Sequence, residues 1–288
     1  MIYVLYNPYS NSGDNDKQIN DVMERFSSVS VQLMSVAEVD DPVEFFKGQH
    51  PGDETILLGG DGTLNRMINA LDGYVPENKL WLYKAGTGND FINDVYGGNA
   101  PDGTLLQIND YIRDLPEVMI RGKKYRFINN CAFGIDGKVC RVGDELKAKF
   151  KRKINYTLLA ARVLLTYKRS NAKVTVDGVT YEFKDVWLAP TMNGRYFGGG
   201  MKVAPMQDRN SDNLTLVVFH SASLFRTFTI FPRIFGGSHV KFKQYFSSFQ
   251  GKEISVEYDL PQDVQIDGEV IPDVLSYSVV KQPVLVNS

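Results

Sequence analysis

The first hundred residues alternate short apolar runs with segments of helical periodicity, and this alternation restricts the fold more than any other feature. The runs Ile2–Tyr6, Val31–Val36, Thr55–Leu58 and Leu80–Tyr83 have the length of buried strands. The segment between the last two runs carries apolar residues on one helical stripe and stops near Gly73. Such alternation predicts a parallel sheet covered by helices, with ligands bound beyond the carboxyl ends of the strands.

After about residue 116 the pattern becomes that of antiparallel β-structure. Asp177-Gly178 lies between two alternating runs, which is typical of a two-residue hairpin turn. Arg121-Gly122-Lys123 separates two further runs in the same way. The other strand candidates are Val186–Pro190, Leu214–Phe219, Glu253–Tyr258 and Val264–Ile266.

These patterns predict two domains. Residues 1–116 form an α/β domain with a parallel sheet, and residues 117–288 form a mainly antiparallel β-sandwich. Helical segments interrupt the second domain near 144–169 and 222–235. The last run, around Pro283–Val286, is a candidate strand that returns to the first domain.

Composition narrows the class of protein. The net charge is −2, which gives no indication of nucleic-acid binding. Cys131 and Cys140 form neither a metal-spaced cluster nor a disulfide framework, so a reducing compartment is expected. No apolar window approaches 18 residues and the first residues lack a leader pattern, so we expect a cytoplasmic protein.

A glycine-rich turn, Gly59-Gly60-Asp61-Gly62-Thr63, follows a buried strand and precedes an amphipathic helix. Glycines allow a phosphate to approach the backbone, and the helix start offers unpaired N–H groups. Because Asp61 repels a bare phosphate, a magnesium–nucleotide complex is the better fit. A plain strand-to-helix turn is the alternative interpretation, since Asp-Gly is common in turns.

A second turn, Gly86-Thr87-Gly88-Asn89-Asp90-Phe91, repeats this arrangement one unit later. In a parallel sheet both turns open on the same edge, which is what metal-assisted phosphoryl transfer needs. The sequence contains no P-loop pattern, and His50, His220 and His239 lie beside no nucleophile signature, which excludes a Ser/His/Asp hydrolase.

These motifs resemble those of the bacterial diacylglycerol kinase and lipid kinase family, which is related to sphingosine kinases. The resemblance covers nearly the whole chain and implies the two-domain fold that NAD kinases and phosphofructokinases share in part. The matching segments are Asn7-Pro8, Gly59–Asn65, Gly86–Phe91, Asn193–Gly200, Ala204-Pro205 and Asp267-Gly268-Glu269.

The resemblance implies a nucleotide site in the first domain, with ATP as donor and Mg²⁺ as cofactor. The nucleotide-binding residues that it implies are Asn7, Gly59, Gly60, Asp61, Gly62, Thr63, Asn65, Thr87 and Asn89. Asp61, Asp90 and Asp267 are the implied ligands of the catalytic magnesium, and Asp61 is also counted as catalytic.

The resemblance assigns the acceptor side of the reaction to the Asp-Gly-Glu motif. Asp267 matches the carboxylate proposed as general base toward the lipid hydroxyl, with Glu269 beside it. The alternative for Asp267-Gly268 is an ordinary hairpin turn. Gly198-Gly199-Gly200 is likewise either part of the site or a purely structural bend.

The chain departs from the family pattern at two places. Arg66 stands where the family usually has Glu after the asparagine of the first motif, which reverses a charge beside the phosphates. Asp208–Asn213 replaces an acidic stretch in which some members hold a structural magnesium; Asp212 is retained and Asn213 replaces a glycine. Asp212 is therefore a candidate ligand of a structural magnesium.

A kinase of this type takes its substrate from a membrane. The segment Lys147–Lys173 carries nine basic residues and no acidic residue, interleaved with leucines, and is a candidate for peripheral contact with the inner face of the membrane. Phe225–Phe235, with Arg226 and Arg233, is a second candidate. Ordinary packed helices are the alternative for both, and a homodimer is a further candidate partner state.

The most specific interpretation is a magnesium-dependent lipid kinase that transfers the γ-phosphate of ATP to a lipid hydroxyl. Diacylglycerol, a monoacylglycerol, a sphingoid base, a prenol and phosphatidylglycerol stand as alternative acceptors. Another kinase of the same fold is one rival, and a catalytically weakened nucleotide- or lipid-binding protein, supported by Arg66, is the other.

Overall fold

The computed structural model describes residues 1–8, 15–85, 88–150 and 154–281. The chain divides into two compact units, Met1–Leu115 and the part that begins at Pro116. Each unit has its own sheet, parallel in the main in the first and antiparallel in the second. The predicted fold class, an α/β domain followed by an antiparallel β-domain, is therefore confirmed.

Within the described residues, the first unit is built on a five-stranded sheet in the order β2-β1-β3-β4-β5. Its strands are β1 (Ile2–Tyr6), β2 (Val31–Ser35), β3 (Glu54–Gly59), β4 (Lys79–Lys84) and β5 (Leu105–Gln107). The first four are parallel, and β5 pairs antiparallel with β4 at the edge. The strongly apolar β3 lies between β1 and β4, as a central parallel strand should.

Four helices join these strands. They are α1 (Asp16–Arg25), α2 (Pro42–Lys47), α3 (Asp61–Leu71) and α4 (Asp90–Val95). Local sequence sets their ends: the Asp41 carboxylate accepts the N–H groups of Val43 and Glu44 at the start of α2. At the end of α3, Asp72 and then Gly73 adopt positive φ, so the predicted stop at Gly73 is confirmed.

Nine strands occur in the described residues of the second unit. They are β6 (Glu117–Ile120), β7 (Lys123–Arg126), β8 (Asn130–Gly134), β9 (Ser170–Val176), β10 (Val179–Met192), β11 (Leu214–His220), β12 (Phe246–Gly251), β13 (Glu253–Ile266) and β14 (Glu269–Val280). All pairings among them are antiparallel. The predicted hairpin at Asp177-Gly178 is confirmed, and Arg121-Gly122 forms a two-residue turn, one residue shorter than predicted.

Two long strands, β10 and β13, hold the second unit together. β9 pairs with their first halves and β8 with their second halves, and both long strands have register shifts between the halves. These strands enclose one apolar core that includes Phe133, Val174 and Val256. The predicted strands Glu253–Tyr258 and Val264–Ile266 are therefore the two ends of one strand, because the register shifts bend it without ending it.

Three helices cover part of this β-structure: α5 (Ile135–Phe150), α6 (Tyr156–Thr166) and α7 (Leu224–Phe235). They share a second apolar cluster with β10 and β11, to which Leu159, Val217 and Ile230 belong. The predicted helical segment 144–169 thus corresponds to two helices, and the first of them begins nine residues earlier than expected. The candidate strand at Pro283–Val286 lies outside the described residues.

None of the helices in the described part of the chain combines the length and the apolar character that crossing a membrane requires.

Candidate active site

The two glycine-rich turns of the first unit meet at one edge of its sheet, because β3 and β4 are adjacent and parallel. Asp61 joins them. Its N–H group donates to the carbonyl of Gly88 at 2.9 Å, and its carboxylate accepts the N–H groups of Asp90 at 2.8 Å and of Phe91 at 3.0 Å. The first residue of α3 therefore caps the start of α4, and each carboxylate oxygen points at a backbone amide.

This contact depends on glycine. A Cβ atom on Gly60 would lie 2.2 Å from the carbonyl oxygen of Gly88, which is well inside van der Waals contact. A Cβ on Gly59 would lie 2.5 Å from the Cβ of Thr63. The glycines thus allow two backbone segments to approach closely, in addition to any approach of a ligand.

A third strand contributes to the same edge. Asn7 follows β1, and its Nδ2 donates to Oγ1 of Thr63 at 3.2 Å, while Asn15 Nδ2 donates to the carbonyl of Asn7 at 2.9 Å. Asn65 is buried one turn into α3, where its Oδ1 accepts from Asn69. The Asn7–Thr63 bond therefore joins the Asn7 motif to the Gly59–Asn65 motif.

The remaining predicted residues of the first unit divide into two sets. Asn89 precedes α4 at its N-cap position, and Asp90 is buried in the first turn. Gly86 and Thr87 lie outside the described residues. Arg66 is exposed on α3, whereas Asp61 and Thr63 are buried. The charge reversal at Arg66 therefore leaves the buried contacts of Asp61 in place.

In the second unit, Asp267 and Gly268 form the two-residue turn between β13 and β14, with φ of 47° and 95°. The buried Asp267 carboxylate accepts three backbone N–H groups, from Ile128 at 2.6 Å, Asn129 at 2.8 Å and Asn130 at 3.0 Å. These bonds fix the orientation of the carboxylate. Glu269, the other predicted residue, begins β14 opposite Ile266.

The Asn193 motif reaches the same backbone segment from the other side. Asn193 Nδ2 donates to the carbonyl of Ile128 at 3.1 Å, and its N–H donates to the carbonyl of Asn129 at 2.8 Å. The three glycines at 198–200 all have positive φ and are closed by a bridge between Phe197 and Met201. Two motifs that are distant in sequence thus hold residues 128–130 between them.

Comparison with known proteins gives the same division of the chain. Residues 1–118 match the diacylglycerol kinase catalytic domain, and residues 129–286 match the YegS C-terminal NAD kinase beta sandwich-like domain. The chain belongs to the diacylglycerol kinase family. The resemblance found in the sequence motifs is thereby confirmed.

Relatives of this chain share little sequence identity with it. A diacylglycerol kinase of Bacillus subtilis (strain 168) is 22% identical over 278 residues, which cover 92% of this chain and 88% of that protein. A diacylglycerol kinase of Mycobacterium tuberculosis (strain ATCC 25618 / H37Rv) is 25% identical over 71% of this chain and 67% of its own length. A solved structure described as a diacylglycerol kinase from Bacillus anthracis str. Sterne has a TM-score of 0.62 at 19% identity, over 97% of this chain and 93% of that one, and shows the shared fold.

A buried carboxylate that the sequence motifs did not indicate lies near the Asp267 turn. Asp136, at the start of α5, accepts a hydrogen bond from Gln265 Nε2 at 3.1 Å, and Gln265 Oε1 accepts the N–H of Gly268 at 2.7 Å. Burial raises the pKa of Asp136 from 3.8 to about 6, and the Gln265 hydrogen bond opposes part of that rise. Gln265 therefore links the turn to α5.

Arg209 is a second residue that sequence reasoning missed. Its Nη1 donates to the carbonyl of Ile128 at 2.5 Å and its Nη2 to Oδ1 of Asn129 at 3.0 Å. Both contacts span about eighty positions in the chain, and no local pattern around Arg209 indicates them. The segment that binds the Asp267 carboxylate is thus held by an arginine as well.

The placement of the acidic side chains bears on the predicted metal sites. No group of three or more His, Cys, Asp or Glu side chains suited to a metal ion occurs among residues 1–8, 15–85, 88–150 and 154–281. The predicted structural-magnesium ligand, Asp212, lies at the surface, where its Oδ2 is 3.2 Å from Nζ of Lys252. Asp61 and Asp90 both lie at the edge where the described parts of the glycine turns meet, and the N–H of Asp90 donates to the Asp61 carboxylate.

Proposed function

We propose that this protein is a magnesium-dependent lipid kinase that transfers the γ-phosphate of ATP to the hydroxyl group of a diacylglycerol-like lipid. The observation that carries the proposal is the contact of Asp61 with the start of α4, which joins both glycine turns at the carboxyl ends of β3 and β4. Open α/β sheets bind their ligands at this position. The names of the family and of its relatives support a lipid acceptor.

The buried acidic edge fits a magnesium ion that arrives with a nucleotide. Mg²⁺ commonly uses one or two protein carboxylates, with phosphates and waters as its other ligands, and does not need a closed cage of side chains. Asp61, whose orientation is fixed by two amides, and the neighbouring Asp90 would hold it. When bound, the ion supplies positive charge that offsets the charge developing on the transferred phosphoryl group.

We assign the acceptor side to Asp267. In the transfer, the lipid oxygen forms a bond to the γ-phosphorus, the bond from that phosphorus to the leaving oxygen of ADP breaks, and the hydroxyl proton passes to the Asp267 carboxylate. Three amide N–H bonds hold this carboxylate in a fixed orientation. A carboxylate suffices as the base, because the hydroxyl proton leaves late in a loose phosphoryl-transfer transition state.

The rival interpretation, a weakened binding protein, has Arg66 as its support. The structure argues against this interpretation. Arg66 is exposed, and the contacts of Asp61 and the Asn7–Thr63 bond form although this chain has Arg at position 66. An exposed arginine beside a phosphate site is also compatible with nucleotide binding, because guanidinium groups pair well with phosphate oxygens.

We further propose that α7 contacts the membrane that supplies the lipid. Thr227, Ile230 and Ile234 face the core, whereas Phe225 and Phe228 are exposed on a different face, Phe225 at 74%. An apolar stripe on a helix whose opposite side is already packed is typical of an interfacial helix.

The surrounding charge favours an anionic bilayer as the occupant. No acidic residue occurs between Asp212 and Glu253, a stretch that includes α7 and five basic residues. The neighbouring α6, which packs against α7, exposes Leu158, Arg162 and Leu165 at helical spacing. Basic residues near an anionic surface each add on the order of 1 kcal/mol of attraction.

Two basic side chains of the candidate segment Lys147–Lys173 have partners within the protein. Lys147 lies 3.7 Å from Asp144 and also lies over the ring of Tyr156. Arg169 stacks on Trp187 and donates to the carbonyl of Ala222. Residues 151–153, three of its basic positions, lie outside the described residues. The membrane proposal therefore rests on α7 and on the exposed side of α6.

The proposed function is tested by a transfer assay with γ-labelled ATP, Mg²⁺ and a panel of lipids in mixed micelles. Labelled product with one lipid class, lost when Mg²⁺ is omitted, is the expected result and names the acceptor. Confirmed ATP binding without labelled product from any lipid of the panel would favour the binding-protein interpretation. Transfer to a soluble acceptor in place of every lipid would favour another kinase of this fold.

A further inference from the structure

A lysine ammonium group lies inside the loop that follows the Ala204-Pro205 motif. Lys281, directly after β14, is only 6% exposed. Its Nζ is 2.9 Å from Oδ1 of Asn193, 3.1 Å from the carbonyl oxygen of Arg209 and 2.7 Å from that of Ser211. An ammonium group has three N–H donors, and these three oxygens match them.

This loop is where the family resemblance raised the question of a structural magnesium. Its side-chain carboxylates are directed elsewhere: Asp208 Oδ1 accepts the N–H of Asn210 at 3.0 Å, and Asp212 binds Lys252 at the surface. Two of its carbonyl oxygens already face the Lys281 ammonium group. A divalent ion at the same carbonyls would meet both the repulsion of this charge and a lack of carboxylate ligands, so the residues present do not fit a magnesium site.

We infer that the Lys281 ammonium group takes the place of a structural metal ion in this loop and thereby positions the backbone that holds Asp267. The ammonium group gathers oxygens from three separate positions in the chain, as a cation bound between loops does. Unlike a metal ion, this ammonium group belongs to the protein chain, directly after β14. It is therefore present whenever the second unit is folded.

The connection to the Asp267 turn runs through two residues that Lys281 binds. The Arg209 side chain donates to Ile128 and Asn129, and Asn193 donates to the same two residues. The N–H groups of Ile128 and Asn129 in turn bind the Asp267 carboxylate. Lys281 is therefore a positioning residue, three contacts away from the proposed base.

The experiment compares wild type with Lys281→Met, which keeps the length of the side chain and removes its charge. Lys252→Met is the matched control, since Lys252 binds the same loop from the surface through Asp212. Thermal unfolding is measured without nucleotide, in buffer with EDTA and in buffer with Mg²⁺, and the metal content of purified wild type is determined by elemental analysis.

We expect the wild-type melting temperature to be the same in EDTA and in Mg²⁺, with no stoichiometric divalent metal in the protein. Lys281→Met should melt lower by roughly 5–10 °C, since it removes the donor shared by the buried Asn193 Oδ1 and two part-buried carbonyl oxygens, and Lys252→Met should stay near wild type. A bound metal in wild type, a clear loss of stability in EDTA, or equal melting of the two variants would overturn the inference.

A second readout separates positioning from mere stability and rests on the proposed function. Well below its melting temperature, Lys281→Met should lower kcat for lipid phosphorylation by about tenfold or more with little change in the KM for ATP, because the nucleotide contacts lie in the first unit. Unchanged kcat in a destabilised variant would reject the positioning role. The EDTA and melting measurements need no turnover, so they stand even if the kinase proposal fails.

Discussion

Asp177 and Asp267 occupy the same position in two different hairpins and make the same backbone contacts there. Each begins a two-residue turn, with φ of 46° and 47°. The N–H of Asp177 donates to the carbonyl of Glu253, and that of Asp267 donates to the carbonyl of Asn130; both acceptors are the first residue of a strand. Each carboxylate also accepts the N–H of that same residue and of the residue before it.

In both hairpins, therefore, the Asp side chain binds the backbone at the first residue of a neighbouring strand, which is a structural role. The two residues differ in burial and in one contact: Asp177 is exposed, whereas Asp267 is buried and accepts a third N–H, from Ile128, on its other oxygen. Any chemical role of Asp267 must therefore be tested against the structural role that both share, and the chain supplies its own control.

Replacing Asp267 by Asn should lower lipid phosphorylation by at least about 100-fold, because it removes the proposed base, and should leave the proposed ATP binding by the first unit nearly unchanged. It should also lower the free energy of unfolding by about 1–3 kcal/mol, because the amide NH₂ would face the N–H of Ile128. The measurements are single-turnover transfer, ATP titration and chemical unfolding.

Asp177→Asn is the matched variant and should behave like wild type in all three measurements. Both of its amide contacts end on Oδ1, which asparagine retains. Near-normal turnover of Asp267→Asn would remove it as the base. A comparable loss of turnover in both variants would show that the effect belongs to the hairpins and not to proton transfer.

Gly60→Ala should disrupt the proposed nucleotide site, because the added Cβ would lie 2.2 Å from the backbone oxygen of Gly88, which accepts the N–H of Asp61. Overpacking of this kind costs about 1–3 kcal/mol, and ATP binding should weaken by roughly tenfold or more. Gly98→Ala is the control in the same unit, since a Cβ atom added there would have nothing within 4 Å and the φ of Gly98 is not positive. Isothermal titration with Mg–ATP distinguishes the two.

Asp136 predicts a pH dependence of stability. Its pKa is raised by burial from 3.8 to about 6, so the folded state favours the protonated form. This contribution to stability is fully present below about pH 4 and is lost as the pH rises through 6, which amounts to roughly 3 kcal/mol for a shift of about two units. The free energy of unfolding attributable to this group therefore falls between pH 4 and pH 7.

Asp136→Asn carries no charge at either pH and isolates this effect. Its stability relative to wild type should improve by up to roughly 3 kcal/mol between pH 4 and pH 7, measured by chemical unfolding at both pH values. Asp144→Asn, which changes an exposed carboxylate of the same helix, should show no comparable change. A difference between Asp136→Asn and wild type that is independent of pH would contradict the assigned cause.

The first unit was the more predictable from sequence, for a physical reason. Its strands and helices are defined by local periodicity and by end signals such as Asp41-Pro42 and Gly73, and parallel topology then brings consecutive turns to one edge. The meeting of Asp61 with the start of α4 follows from that topology. The sequence did not indicate that the lack of a side chain at Gly60 allows the carbonyl of Gly88 to pack against it.

The second unit was less predictable, because its site depends on contacts between distant residues. β8 has all five residues buried and therefore lacks the alternation by which half-buried strands are recognised. Asp136 and Gln265 are 129 positions apart, and Lys281 and Asn193 are 88 apart. Polar residues of this kind look like ordinary surface residues until the partner that buries them is known.

The membrane proposal gives the last prediction, which concerns α7. Phe225→Ser combined with Phe228→Ser should reduce binding to vesicles of phosphatidylglycerol and phosphatidylcholine by about tenfold or more, because each removes an exposed ring that the bilayer would bury. Leu260→Ser, which changes an exposed leucine on β13, is the control and should bind like wild type. Flotation of full-length protein without nucleotide gives the bound fraction.

Two further comparisons make this prediction specific to an anionic bilayer. Wild type should bind more weakly to pure phosphatidylcholine, because the basic side chains of residues 213–252, such as Arg226 and Arg233, then have no anionic lipid to pair with. It should also bind more weakly at high salt, because salt screens these charges. If the double variant instead converts a wild-type dimer into a monomer in light scattering and leaves flotation unchanged, then α7 is a self-association surface. In that case the lipid must reach the Asp267 turn by another face, although the phosphoryl-transfer proposal itself would stand, because it rests on Asp61 and the two glycine turns.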